Sequence, residues 1–212
     1  MTTPRSQPEA ISGQPEITRR ALANLVRSLA SLTMLTTVED RRLVHATELV
    51  REAIEDLSAS ARSGRYAGVP GLSPGSDTND LVWETHAAFG ASNPLAPPVD
   101  AEEYQGRVTG NVTFGSAWEG GPGLVYGGFI AAVFDGMCGR AVMSAGHVGV
   151  TRSLHVRFLR PTPLRRSLKV QTVAGELVGR NVSVTGQLWD GDTLTCEAEA
   201  VFTCVQIDQY RA

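Results

Sequence analysis

Tyr126-Gly127-Gly128-Phe129-Ile130-Ala131-Ala132-Val133-Phe134-Asp135-Gly136-Met137 is the stretch on which the reading of this chain turns. A glycine pair opens a run of apolar and small residues that reads as a buried helix. Between Glu119 and Arg140 the one carboxylate or base is Asp135. A carboxylate on such a helix is costly unless it is paired or used. The helix start just before it offers unpaired N–H groups and a partial positive charge to a developing anion. An oxyanion site close to a carboxylate is what acyl-transfer chemistry needs. The competing reading of Asp135 is a structural carboxylate bound to backbone amides.

On either side of this helix the period changes from helical to alternating. Val108, Gly110, Val112 and Phe114 alternate with polar residues before it, as a half-buried strand does. Four more alternating segments follow, carried by Leu154, Val156 and Phe158; by Leu168, Val170, Thr172 and Ala174; by Val182, Val184, Gly186 and Leu188; and by Leu194, Cys196, Ala198, Ala200 and Phe202. Turn chemistry at Pro161-Thr162-Pro163, Gly179 and Asp190-Gly191-Asp192 separates them. One strand, one buried helix and then an antiparallel meander is an α+β layer pattern, with the sheet wrapped around the helix that carries Asp135. The stretch Ala91 to Asp100, with Pro94, Pro97 and Pro98, is too rich in proline for a central strand.

The N-terminal third has another character. Leu22, Leu25, Val26, Leu29 and Leu32 recur at helical spacing and predict an amphipathic helix over about 16–35. Thr36 with Glu39 has capping-box spacing and predicts the start of a second helix, whose apolar face is Leu43, Ala46, Val50, Ala53, Ile54 and Leu57. These stripes read as packing faces. The expected organisation is a disordered tail (1–15), a helical hairpin (16–63), a linker (64–82), an α+β domain (83–205) and a C-terminal tail (206–212).

Composition excludes several classes. The 212 residues are 42% hydrophobic and 19% charged, which predicts a packed core. A formal net charge of −3 argues against a nucleic-acid partner. Cys138, Cys196 and Cys204, and the four histidines, have no metal-ligand spacing, so no metal and no tightly held cofactor is expected. The odd number of thiols in apolar settings points to a reducing, cytoplasmic compartment. Arg19-Arg20 before an apolar stretch resembles a twin-arginine export signal, but Arg27 interrupts the stretch and no clean cleavage site follows. No apolar run approaches the roughly 20 residues of a membrane span. Locally, Arg152, Arg157, Arg160, Arg165, Arg166, Lys169 and Arg180 stand against the single acid Glu176. Such a cluster suits phosphates, with Arg160, Arg166 and Arg180 the preferred contacts; it also suits a solvated sheet edge.

The ordered set of features from Arg107 to Val205 resembles the hotdog-fold acyl-CoA thioesterases, in particular the phenylacetate-pathway-type group and the mammalian thioesterase-superfamily relatives. That family has His-Gly-Gly at the helix start and an acidic residue nine positions after the His; Tyr126-Gly127-Gly128 and Asp135 have this spacing. A Thr or Ser on the next strand is matched by Thr151, the strand ending by Phe158-Leu159-Arg160-Pro161, and a hairpin Gly-Arg by Gly179-Arg180. This chain departs from the pattern with Tyr126 in place of the His, and with Gly120 where an Asn or Gln is common.

The resemblance implies a hotdog α+β fold and hydrolysis of an acyl-CoA thioester to a carboxylate and CoA. It implies that the Gly127 N–H polarises the carbonyl and that Asp135 is general base or nucleophile. Thr151 would orient water or carboxylate, acting on the Asp135 of its own or of a partner chain. Tyr126 would stand in for the His or simply wall the pocket. Gly128 and Phe129 would contact substrate, and Phe129, Val133 and Phe134 would line an acyl pocket or fill the core. It further implies a homodimer or homotetramer with the site at the dimer interface. The alternatives are a non-catalytic acyl-CoA carrier or sensor, an acyl-carrier-protein thioesterase, and an interaction role for the hairpin. A hydratase would need a His about five residues after the Asp, and none follows Asp135 before His147. Cys138 reads as a core residue, and His155 as solvent-facing or structural.

Overall fold

In chain order the computed structural model has helices α1 (Pro15–Leu35), α2 (Asp40–Ser58) and α3 (Asn79–Glu84), then strands β1 (Val99–Tyr104) and β2 (Arg107–Thr113). A 3-10 turn, Ser116–Trp118, leads to helix α4 (Gly127–Ser144), which is followed by β3 (Gly149–Phe158), β4 (Ser167–Val178), β5 (Asn181–Asp190) and β6 (Thr193–Cys204). The structure describes residues 15–61, 63–64 and 79–205. The expected tails, 1–14 and 206–212, and linker residues 65–78 lie outside the described residues.

The strands form one antiparallel sheet in the order β1-β2-β4-β5-β6-β3. Helix α4 lies on it and buries Ile130, Val133, Phe134, Met137, Ala141 and Val142 against Val108, Leu168, Val170, Val182, Val184 and Leu188. Each of these side chains larger than alanine contributes about 1.5–3 kcal/mol of burial. Gly186 of β5 lets the helix settle: a Cβ there would lie 2.8 Å from the Phe134 ring. The Thr172 hydroxyl donates to the Met137 carbonyl at 3.0 Å and ties sheet to helix inside the core. This is the hotdog arrangement, an α+β sheet around a central helix.

Two features of the sheet differ from the alternation reading. The expected four-strand meander is broken, because β3 pairs with β6 and not with β4; only β4-β5-β6 run as a meander. Alternation fixes which face a strand buries and carries no information about its neighbour. The edge strand β1 is additional. It starts directly after Pro97-Pro98 and, among the described residues, pairs only with β2, an edge position that tolerates neighbouring proline.

The N-terminal helices form as expected, with one shift. Helix α2 is capped by Glu39, not Thr36, and neither side chain closes a cap on it; Thr36 Oγ1 accepts only from the Val38 N–H, at 3.3 Å. Helix α1 docks through Ala23 and Arg27, both buried. The Arg27 guanidinium donates to the carbonyls of Ala96 (3.0 Å), Gly90 (3.2 Å), Ala91 (2.8 Å) and Asn93 (2.6 Å), and to Asn24 Oδ1 (2.7 Å). Arg20 forms an ion pair with Glu84 at the end of α3. Where a hairpin would bury one stripe on the other, α2 buries none of its residues, and Leu22, Leu25, Leu29 and Leu32 of α1 remain exposed. Helix α3 overlaps the end of the expected linker and anchors it through buried Val82.

Candidate active site

Helix α4 begins where the sequence places it, with Tyr126 as N-cap and Gly127 as first helical residue. No side chain caps this end, and among the described residues neither Gly127 nor Gly128 donates its N–H to a protein acceptor. The first N–H groups of a helix have no partner within it, so these two point outward with the positive end of the dipole. A ring of aromatics surrounds them. A Cβ on Gly127 would lie 3.1 Å from Phe158 Cζ, and one on Gly128 would lie 2.6 Å from Tyr126 Cε1. Phe129 meets Tyr126 edge-on, with centroids 6.0 Å apart. Tyr126 and Phe158 are 57% and 56% exposed, so this collar is open to approach. Tyr126 is in turn seated on Gly120, where a Cβ would come within 2.8 Å of the Tyr126 Cα. The two departures from the family pattern are therefore in contact with each other.

Two turns along α4, half-buried Asp135 turns toward β3, and its Oδ1 accepts a hydrogen bond from Thr151 Oγ1 at 2.7 Å. The bond lies within one chain. Gly127 is eight residues away, about 12 Å along the axis. Burial pushes the Cys138 thiol up to about 12, with the nearby Asp135 charge adding to it. Cys138 is thus a protonated core residue rather than a nucleophile. His155 is exposed on β3, opposite Glu199 of β6.

The structure only partly gathers the expected phosphate contacts. Arg160 donates to the Leu194 carbonyl at 3.0 Å, in a loop that runs beside the entry to α4 through the Val125 N–H to Thr162 carbonyl bond, 2.9 Å. Arg166 pairs with Asp190 at 2.8 Å at the start of β4, the same end of the sheet. Arg180 follows the far end of β4, roughly 35 Å away by strand length, and donates weakly to the Cys204 carbonyl at 3.4 Å. Within one chain it does not join the other two. Arg157 pairs with Glu197. The sequence marks Phe158 only as a strand residue, whereas in the structure its ring lies over Gly127. The signal lay in the Phe158-Leu159-Arg160-Pro161 ending, which brings the end of β3 beside the helix start.

Residues 122–197 match the family model described as thioesterase superfamily. Acyl-coenzyme A thioesterase THEM4 of Mus musculus is 37% identical over 86 residues, 40% of this chain and 37% of that protein. Its Rattus norvegicus counterpart is 34% identical over 93 residues, covering 43% and 40%. The chain thus spans about two-fifths of the length of these curated relatives. A crystal structure of a thioesterase superfamily protein superposes with a TM-score of 0.73 at 25% identity, over 87% of this chain and 94% of that one. In sequence and fold the chain resembles the hotdog-fold acyl-CoA thioesterases.

Proposed function

We propose that this protein hydrolyses acyl-CoA thioesters to a free carboxylate and CoA. The observation that carries the proposal is the Thr151–Asp135 hydrogen bond, on the helix whose N-terminus leaves the N–H groups of Gly127 and Gly128 without an acceptor among the described residues. Asp135, its orientation fixed by Thr151, takes a proton from water as the water oxygen attacks the thioester carbon. The Gly127 N–H holds the charge that develops on the carbonyl oxygen. The carbon–sulfur bond then breaks, and the proton passes to the leaving sulfur to give the CoA thiol. Attack by Asp135 itself, through a mixed anhydride, uses the same geometry. Arg160 and Arg166, at the end of the sheet that meets the α4 N-terminus, take the CoA phosphates.

The site is completed between two copies. Asp135 is turned sideways to β3 rather than along the axis to Gly127, which supports pairing Asp135 and Thr151 of one copy with Gly127 of another. Among the described residues the outer edge of β3 has no strand partner, and Val150, Phe158 and Leu159 are exposed beside it, as an edge that receives a second copy would be. Arg180, at the other end of the sheet, contributes across the pair. The three thiols are free, which supports a reducing, cytoplasmic setting, and no helix among the described residues is long and apolar enough to cross a membrane.

Asp135→Asn is expected to lower turnover by about a hundredfold or more with folding intact. Release of CoA thiol, followed with a thiol-reactive dye over a panel of short, long and aromatic acyl-CoAs, measures it; undiminished turnover removes Asp135 from the mechanism. The second reading, an acyl-CoA carrier or sensor, is favoured by Tyr126, whose ring packs over Gly128 where the family has an imidazole. Calorimetric binding of an acyl-CoA without thiol release over hours would select it.

A further inference from the structure

We propose that α2 is a self-docking helix, which pairs antiparallel with α2 of a second copy of this chain. Its apolar residues Leu43, Ala46, Val50, Ala53 and Leu57 recur at alternating spacings of three and four, the seam of a coiled coil. Alanine at every seventh residue along that seam lets two helix axes approach closely. Among the described residues nothing buries this face: α2 has no buried residue, Leu43, Val50, Ile54 and Leu57 are exposed, and Ala46 is half-buried. Helix α1 does not cover it, because its docked face is held by Arg27 and its leucine stripe is also left open.

The charges along one edge of the seam say which occupant fits. Arg42, Leu49 and Asp56 follow one another at intervals of seven along that edge. Among the described residues neither Arg42 nor Asp56 has an ion partner, whereas Arg41 pairs with Glu39 and Arg51 with Glu48. A twofold axis through Leu49 places Arg42 of each copy opposite Asp56 of the other and Leu49 opposite itself. The same surface patch then meets itself, as a closed isologous pair requires. A parallel pairing instead faces this edge with the opposite edge of the partner's seam, which sets Arg42 beside Thr47 and leaves Asp56 without it. An anionic membrane suits the helix poorly, because Glu48, Glu52, Glu55 and Asp56 outnumber the basic residues in its second half. This contact uses residues separate from the β3 edge, so it is a second, independent association step.

Sedimentation equilibrium of the full chain over a range of concentrations tests this without reference to the site. Arg42→Asp and Asp56→Arg should each weaken one association step by roughly tenfold or more, since each sets like charges opposite one another twice. The double exchange, Arg42→Asp with Asp56→Arg, should restore that step. Leu49→Cys, oxidised, should run at twice the chain mass on a non-reducing gel. Unchanged association in the single variants, no recovery in the double variant, or flotation with phosphatidylcholine–phosphatidylserine vesicles in place of self-association would overturn the proposal.

Discussion

Gly127 allows the oxyanion hypothesis to be tested on a single hydrogen. It is the first residue of α4, the position where proline fits because its missing N–H has no helical partner. The preceding Tyr126 has φ −65° and ψ 126°, the extended conformation a following proline requires. Gly127→Pro therefore deletes one N–H while keeping the helix start, with a small adjustment of the Phe158 ring 3.1 Å from the new Cβ. Turnover should fall by about 10²–10³ with circular dichroism unchanged; a variant as active as the parent would remove this N–H from the chemistry. At this scale the sequence showed the parts but not their contacts. Asp135 and Gly127 were visible because a carboxylate and a glycine pair are anomalous on an apolar helix. The partner of Thr151, the cover over Gly127 by Phe158 and the seat of Tyr126 on Gly120 depend on which strand end meets the helix, and residue spacing does not contain that.

Among the elements, the periodic ones were legible and the pairing between them was not. Helix α4 and strands β2, β4, β5 and β6 announce themselves because each buries one regular face. Strand β1 does not, since only Val99 of its six residues is buried. The attachment of α1 was equally hidden, because it rests on Arg27, a residue that reads in sequence as an interruption of an apolar stretch. Its charge is satisfied by carbonyl dipoles rather than by a carboxylate, and burial lowers its pKa. Arg27→Met keeps the stem and removes the donors, so the carbonyls of residues 90–96 lose their partner. Docking of α1 should weaken by about 3 kcal/mol, seen as faster hydrogen exchange in α1 with β4 and β5 unaffected. The pH response is set by Glu84, whose carboxyl is held below its ordinary value by the Arg20 hydrogen bond, with help from Ser92. A depressed carboxyl stabilises above its unfolded pKa and loses that contribution as pH falls through the folded one. Proteolysis within α1 should therefore rise on acidification below about pH 4; protection that persists would separate this ion pair from docking.

For the whole molecule, the decisive question is whether one chain holds a complete site. If Asp135 and Thr151 of one copy act with Gly127 of another, two damaged chains can repair each other. Asp135→Asn and Gly127→Pro are each expected to be nearly inactive alone. In a mixed pair one of the two sites inherits both lesions and the other inherits neither. Random assembly makes half the pairs mixed, and half the sites in those pairs are intact. Co-expression of equal amounts should then recover roughly a quarter of the parent turnover, the arithmetic of an isologous pair. If each chain contained its own site, mixing would recover nothing. The same experiment in the Arg42→Asp background separates the two contacts: a pair formed at the β3 edge keeps its recovered turnover when the α2 seam is disrupted, because the seam lies on a helix remote in sequence from Gly127, Asp135 and Thr151.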